Sequence, residues 1–295
     1  MLTKKNSLYN RVALLVLIFV TIISLLPLVL LVVASFTDAA VLVKDGYCFW
    51  PEKWSVEAYQ YLWLSRKTIF KAYGMSFGVT FLGTALSLAF TSMLAYTLSK
   101  NDLPGRKIPS FLVFFTMLFN GGLVPTYLLY TNYLHINDTL LALLIPNLLV
   151  RAYYVFLMRS YYKSIPDEVV EAAAIDGANE ILCFSRVVLP MAKPIVATVA
   201  LFTFIGYWND WQNGLYYLTK RTDLYTIQNL LNRMISEIQY LSSSALPGAS
   251  VNLSNFPSVS ARMAIAVIGV LPVIILYPFV RKNFVSGIMA GSVKG

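Results

Sequence analysis

The sequence predicts an all-α membrane protein with six transmembrane helices. Hydrophobic residues make up 58% of the 295 positions and charged residues only 13%, whereas soluble domains have about 25% charged positions. Six apolar runs alternate with polar segments, and at about 1.5 Å per helical residue they suit a hydrocarbon layer of ~30 Å. The net charge of +9 does not indicate nucleic-acid binding, because the basic residues cluster at the ends of the apolar runs instead of forming a stripe.

The apolar runs define the predicted transmembrane spans. In order they are Val12–Phe36, Tyr73–Leu98, Ser110–Tyr130, Leu140–Met158, Pro194–Leu215 and Met263–Val280. The first run could be a signal peptide, but it is longer than the apolar core of such peptides, shows no obvious cleavage site and is followed by further spans. We therefore interpret it as the first transmembrane helix.

Basic residues beside the spans predict the orientation in the membrane. Those assigned to the inner side are Lys4, Lys5, Arg11, Lys100, Arg106, Lys107, Arg159, Lys163, Arg186, Lys193, Arg281 and Lys282. The positive-inside rule then places both termini in the cytoplasm, together with the segment between the fourth and fifth spans. The predicted outer loops also carry basic residues, so this charge bias is moderate.

Polar residues interrupt the third and fourth spans. Asn120, Gly121 and Gly122 precede Pro125 in the third, which indicates a broken or closely packed helix. Asn147 and Arg151 interrupt the fourth. A charge at this depth costs about 3 kcal/mol, so Arg151 is expected to face a partner or a wet cavity. The alternative is a lower helix register, in which Arg151 snorkels toward the cytoplasm.

The end of the fifth span combines aromatic rings with amide and carboxylate groups. Rings suit the C–H faces of sugars, and the polar groups suit their hydroxyls. The candidates for a substrate pathway are therefore Asn147, Arg151, Tyr207, Trp208, Asn209, Asp210 and Trp211. A structural interpretation remains open, in which Asp210 pairs internally and the two tryptophans anchor the span at the membrane interface.

Residues 164–194 form a polar, helix-favouring segment between two spans. Ser164 and Asp167 resemble a capping box at a helix start. Gly177 suits the left-handed conformation that ends a helix, and residues 178–186 are expected to form a second short helix before the chain turns back into apolar sequence. The segment is too charged to enter a bilayer, so we interpret it as a docking element.

The segment also carries a recognisable motif. Glu171-Ala172-Ala173, then Gly177, then Val187-x-Leu189-Pro190 resembles the EAA loop of binding-protein-dependent ABC importer permeases, with valine where that family usually has isoleucine. Nearly the whole chain resembles the carbohydrate branch related to maltose permease subunits, especially the oligosaccharide and polysaccharide type. This resemblance implies a type I ABC importer (MetI-like) architecture, with one permease domain over residues 1–295, a cytoplasmic coupling loop at 164–194 and a cytoplasmic tail at 284–295.

The resemblance implies two contacts with a cytoplasmic ATPase. The coupling residues would be Glu168, Glu171, Ala172, Ala173, Asp176, Gly177, Leu189 and Pro190. The tail residues that would reach into the ATPase dimer are Gly291, Ser292, Val293, Lys294 and Gly295. The implied partners are a second homologous permease subunit forming a heterodimer, the ATPase dimer with its ATP and Mg²⁺, an extracellular sugar-binding protein and the lipid bilayer.

The chain itself is expected to do no chemistry. Its sequence contains no P-loop of the GxxxxGK[ST] type, and its single histidine, His135, lies in a short loop, so no bound cofactor or metal is expected. The alternative functions are import of another solute, such as a polyol, glycerol phosphate or a peptide, and a secondary transporter, although no internal repeat is evident. A membrane enzyme would require a metal cluster or a nucleophile–base pair.

Overall fold

The computed structural model describes residues 7–243 and 259–275. These residues are mostly helical, with a single isolated antiparallel bridge between Thr37 and Trp54 in this part of the chain. The chain divides into two compact units, residues 1–68 with 231–272 and residues 69–230 with 273–295. The predicted tail, 284–295, with all five of its proposed contact residues, lies outside the described residues.

Fifteen α-helices lie within the described residues. In chain order they are α1 (Ser7–Ser35), α2 (Ala39–Asp45), α3 (Glu57–Leu64), α4 (Arg66–Ser99), α5 (Lys107–Leu118), α6 (Leu123–Leu128), α7 (Leu141–Leu144), α8 (Ala152–Tyr162), α9 (Asp167–Ile175), α10 (Glu180–Cys183), α11 (Leu189–Met191), α12 (Lys193–Trp208), α13 (Gln212–Tyr217), α14 (Ile227–Ser243) and α15 (Val259–Ile275). Turns of π-helix follow α6 at Leu129–Tyr133 and α10 at Phe184–Val188. A short 3₁₀ turn occupies Thr222–Leu224.

Within the described residues, two helices are long and apolar enough to cross a membrane. They are α1, over Asn10–Ser35, and α4, which correspond to the first and second predicted spans. A third is present if the pair Glu180–Met191 and Lys193–Trp208, bent by 84°, counts as one span. The apolar helices α5 and α15 are shorter. The predicted set of six continuous spans is therefore not confirmed.

Three of the predicted spans are broken helices. The third separates into α5 and α6 at Gly122, whose φ is +85°. The fourth separates into α7 and α8 around Pro146 and Asn147, and Asn147 has a left-handed φ of +58°. The fifth ends at Trp208, and α13 begins only at Gln212. A left-handed residue ends a helix, and proline removes a backbone donor and disfavours a helical conformation in the residue before it, which explains the interruption of the third and fourth spans.

The unit around residues 69–230 has two apolar clusters. One combines α4, α8, α12 and the segment between α8 and α12, and Met158, Val188 and Ala192 are fully buried in it. The other combines α4, α7 and α12 with residues 218–225, and Leu143 and Leu218 lie at its centre. Residues 164–194, which we call the coupling segment after their predicted role, are thus packed with α7 and α8 against α4 and α12.

In the other unit, the end of α1 is fixed by a local set of contacts. The Ser35 hydroxyl lies 2.8 Å from the Tyr59 hydroxyl, and the rings of Phe36 and Tyr59 stack at 4.6 Å. Lys53 pairs with Asp38 at 2.6 Å and lowers the pKa of that carboxyl. Most of α1 is exposed in this chain, including Leu15 at 65%. Its apolar side chains are therefore available to lipid or to another subunit.

Asp138 connects two loops of the larger unit. Its carboxylate accepts hydrogen bonds from the backbone amides of Thr219 and Lys220 at 2.8 Å and of Arg221 at 3.1 Å, and from the Thr219 hydroxyl at 2.8 Å. These donors, led by the Lys220 amide, lower the pKa of Asp138 to about 2. They stabilise the charged carboxylate, so the connection depends on its ionised form.

Candidate functional site

The first helix of the coupling segment, α9, begins at Asp167, later than the sequence predicted. Pro166 occupies the N-cap position of α9 without a side-chain cap, and the Ser164 hydroxyl donates to the Tyr161 carbonyl at 2.7 Å. The expected capping box is therefore wrong, because the Ser164 hydroxyl is used by the turn that ends α8. Asp167 and Glu168 in the first turn still complement the positive end of the helix dipole.

The predicted bend between two helices is confirmed. Gly177 has a φ of +86°, and its amide and that of Ala178 donate to the carbonyls of Ala174 and Ala173, each at 3.0 Å. Asn179 then caps α10 through its side chain, which accepts from the Leu182 amide at 2.9 Å. The second helix is longer than predicted, since a π-helical turn connects α10 to α11.

The coupling segment packs an apolar face against the protein and turns a mixed face outward, where the carboxylates lie beside the exposed side chains of Ile175 and Ile181, at 86% and 77%. Most of the predicted coupling residues are exposed, namely Glu168, Glu171, Ala172, Asp176, Gly177 and Pro190, while Ala173 and Leu189 are half-buried. Val170, Phe184 and Val188 pack into the apolar cluster of α4, α8 and α12. Residues Glu180–Met191 run at 84° to α12. If α12 crosses the bilayer, this part of the segment lies along the membrane surface.

A polar cavity of about 300 Å³ lies where the three broken helices meet. Its polar lining comes from all three breaks and from Thr126 of α6; the residues at the breaks are Asn120, Asn147, Arg151, Asp210, Gln212 and Asn213. Tyr216 and Tyr217 add aromatic rings. Amides, hydroxyls and one charge of each sign therefore converge on one space, which suits a ligand that offers several hydroxyl groups.

The break in the fourth span is stabilised by side chains from other helices. Three carbonyls around Pro146 accept such hydrogen bonds, and this compensates for the missing helical donors. The pairs are Tyr207 Oη to Leu144 O at 2.8 Å, Asn213 Nδ2 to Pro146 O at 3.0 Å and Ser87 Oγ to Leu148 O at 3.4 Å. The irregular backbone next to the cavity is thus a fixed part of the fold.

Arg151 faces the cavity. Its Nε donates to the Asn147 carbonyl at 3.1 Å, and its guanidinium lies 5.9 Å from the centre of the Tyr154 ring. Gly206 of α12 lies beside it, so that a β-carbon at this glycine would come within 3.4 Å of Arg151 Nη2. Arg151 therefore lines a polar cavity, as one of the two placements left open by the sequence requires.

Asp210 lines the same cavity and is half-buried. Its carboxylate accepts from the Asn213 amide at 3.5 Å, and its carbonyl accepts from the Thr226 hydroxyl at 3.5 Å. No direct ion pair joins it to Arg151 within the described ranges. Two opposite charges thus share the cavity while both remain accessible to a ligand.

The other predicted pathway residues lie outside the cavity lining. Tyr207 and Trp208 are 2% and 1% exposed, and the Trp208 ring packs against Phe77 at 5.1 Å. Asn209 is exposed, and Trp211 is half-buried with its carbonyl bonded to Asn229 Nδ2 at 3.2 Å. Sequence reasoning did not assign Asn120, Gln212 and Asn213 to the site. The asparagine before two glycines in the third span was the available signal.

Comparison with known proteins identifies the family. Residues 105–289 match the family described as binding-protein-dependent transport system inner membrane component. The chain belongs to this family. The resemblance seen in the sequence is thereby confirmed, and the polar segment of this permease lies within the matched residues.

Individual relatives agree with this assignment. The permease is 34% identical to the polygalacturonan/rhamnogalacturonan transport system permease protein YtcP of Bacillus subtilis (strain 168), over 99% of this chain and 100% of the relative. It is 26% identical to the arabinooligosaccharides transport system permease protein AraQ of Halalkalibacterium halodurans, over 94% of each chain. Its structure resembles a chain in the crystal structure of a bacterial ABC transporter involved in the import of the acidic polysaccharide alginate. The TM-score is 0.78 at 28% identity, covering 96% of this chain and 99% of the other.

Proposed function

We propose that the chain is the transmembrane permease subunit of an ABC importer that moves oligosaccharides across the cytoplasmic membrane. The observation that carries this proposal is the polar cavity at the three helix breaks, which lies in a chain of the binding-protein-dependent family. The relatives named for polygalacturonan, arabinooligosaccharides and alginate support a saccharide as the transported solute.

The proposed architecture has six spans in the type I (MetI-like) arrangement. Four of them are α1, α4, α12 continued by α13, and α15. The other two are the pairs α5–α6 and α7–α8. At the α7–α8 break, side chains of Tyr207 and Asn213 satisfy freed backbone carbonyls. The charge bias supports cytoplasmic termini and a cytoplasmic coupling segment.

The chain is proposed to work with a second permease subunit, a cytoplasmic ATPase dimer and an extracellular sugar-binding protein. The ATPase dimer, with its ATP and Mg²⁺, would dock on the coupling segment, where the exposed carboxylate of Glu171 is available for charge-assisted hydrogen bonds. Ala172 offers a small side chain for close approach, and Gly177 fixes the bend. Closure of the ATPase dimer would then move the spans as rigid bodies between inward-facing and outward-facing states.

The substrate pathway is proposed to pass through the polar cavity. Asn147, Arg151 and Asp210 line it and are assigned direct contact with the sugar. Tyr207 is assigned an indirect role, since its hydroxyl supports the Leu144 carbonyl at the break. Trp208, Asn209 and Trp211 belong to the same end of α12, but they are not assigned a place in the lining.

Substrate-stimulated ATPase activity and uptake by the reconstituted transporter test the proposal. The complete complex in proteoliposomes is assayed for ATPase stimulation and uptake with neutral oligosaccharides, uronate oligosaccharides, polyols, glycerol phosphate and peptides. Asp210→Asn is expected to raise the sugar concentration for half-maximal stimulation at least tenfold, with complex assembly intact. The matched control is Asp223→Asn, because Asp223 pairs with Arg221 at 2.7 Å outside the cavity. Stimulation by a solute other than a saccharide, or an unchanged Asp210→Asn variant, would contradict the assignment.

A further inference from the structure

The Glu180 carboxylate makes a polar contact between the coupling segment and the end of α4. Glu180 begins α10, and its Oε2 accepts a hydrogen bond from the Tyr96 hydroxyl at 2.7 Å. The Lys100 ammonium lies 3.3 Å from the same oxygen. The two helices are far apart in the sequence, so this contact connects elements that the chain itself does not hold together.

The α4 side of this contact is anchored in the protein interior. Tyr96 is 9% exposed and belongs to the apolar cluster of α4, α8 and α12. Its ring lies 5.0 Å from that of Phe184 and 6.4 Å from that of Tyr162, and the Lys100 ammonium lies 5.0 Å from its centre. A force on Glu180 is therefore received by a side chain that is packed on several sides.

Open space flanks the contact on two sides. One cavity, of about 480 Å³, is lined by Thr97, Leu103, Ile181 and Phe184 as well as by the three polar residues. A second, of about 270 Å³, is lined by Tyr96, Lys100, Lys163 and Glu171. Closely packed surfaces resist relative movement, whereas cavities on both sides leave the coupling segment room to rotate about its polar contact.

The exposure of Glu180 argues against a main role in stability. Its side chain is 73% exposed, whereas that of Lys100 is 25% exposed. Exposed ion pairs add little to folding stability because water and salt screen them. A hydrogen bond to a charged acceptor nevertheless fixes geometry, since it is short and directional.

We infer that Glu180 is a positioning residue through which movement of the coupling segment is transmitted to α4, with Tyr96 and Lys100 as its partners. This inference rests on the proposed function, in which an ATPase dimer docks on the coupling segment. Glu180 itself is assigned no contact with the ATPase or with the sugar. Its role is to make α4 follow when the segment moves.

The number of ATP molecules hydrolysed per sugar imported, measured with the reconstituted complex, tests this role. Glu180→Ala is expected to raise this ratio at least threefold, while ATPase co-purification and the unfolding temperature of the complex stay unchanged. Tyr96→Phe and Glu180→Gln are expected to raise it less, because each retains part of the contact. The double variant of Tyr96→Phe with Glu180→Ala is expected to match Glu180→Ala alone, since both changes remove the same hydrogen bond.

The matched control is Ser185→Ala on the same helical segment. The Ser185 hydroxyl donates within its own turn, to the Leu182 carbonyl at 3.4 Å, so this change is expected to leave the ratio unaltered. An unchanged ratio for Glu180→Ala, or an equal rise for Ser185→Ala, would overturn the inference alone. If Glu180→Ala does not assemble, Tyr96→Phe and Glu180→Gln decide by the same ratio. If the wild-type chain is purified and no ATPase accompanies it, both the proposed function and this inference are overturned.

Discussion

Gly83 of α4 lies against the ring that supports the broken fourth span, and its replacement is expected to be costly. A β-carbon at Gly83 would come within 2.5 Å of the Tyr207 ring, so Gly83→Ala forces the ring to move. Overpacking of this kind costs about 1–3 kcal/mol. Movement of the ring also weakens the hydrogen bond from Tyr207 to Leu144, which is worth about 1 kcal/mol. Together the loss is about 2–4 kcal/mol of unfolding free energy.

The same contact predicts how two changes combine. In a Tyr207→Leu background the ring is absent, so Gly83→Ala is expected to cost less than about 0.5 kcal/mol, since alanine by itself favours a helix over glycine. A double-mutant cycle measured by denaturant unfolding of the purified complex should therefore give a coupling energy above about 1.5 kcal/mol. Additive costs for Gly83→Ala and Tyr207→Leu would refute the packing described for this region.

Three further changes test other parts of the structure. The pKa of Asp138 is lowered to about 2. Its carboxylate therefore stabilises the fold above the unfolded pKa of about 3.9, and this stabilisation is lost as the pH falls toward 2. Asp138→Asn should remove the resulting acid-induced drop in unfolding temperature. A β-carbon at Gly177 has open space around it and φ is +86°, so Gly177→Val should reduce ATPase recovery severalfold through backbone strain, whereas Gly177→Asn should retain most of it. Gly206→Leu should crowd Arg151 and raise the sugar concentration for half-maximal ATPase stimulation about tenfold, with basal hydrolysis unchanged. An acid response that persists in Asp138→Asn, equal recovery of the two Gly177 variants, or unaltered sugar dependence in Gly206→Leu would contradict the respective argument.

The long helices and the bend of the coupling segment were predictable because their signals are local. Uninterrupted apolar runs produced α1 and α4, and a glycine after an alanine-rich helix indicated the left-handed residue at 177. The start of α9 was predicted too early, because the Ser164 hydroxyl bonds to the preceding Tyr161 carbonyl and not to an amide in the first turn of the helix. Short polar side chains can bond in either direction, and sequence spacing does not decide between them.

The helix breaks and the cavity depend on partners distant in the sequence. Asn147 was recognisable as an interruption, but the break at Pro146 is stabilised by a donor from another helix, the side chain of Asn213. Trp208 matched the pattern of a sugar-binding ring, yet it packs against Phe77 of α4. Which face of a mostly apolar helix meets a cavity is decided by tertiary packing, and a run of apolar residues carries little information about it.

The central claim is that this chain works as the permease of an ATP-driven importer. We would purify the tagged chain from its native membranes in mild detergent, identify what accompanies it, and repeat the purification with Gly177→Val. The account predicts a second permease subunit and an ATPase with the wild-type chain, and loss of the ATPase with the variant. A chain that is recovered alone and transports sugar without any ATPase would contradict it.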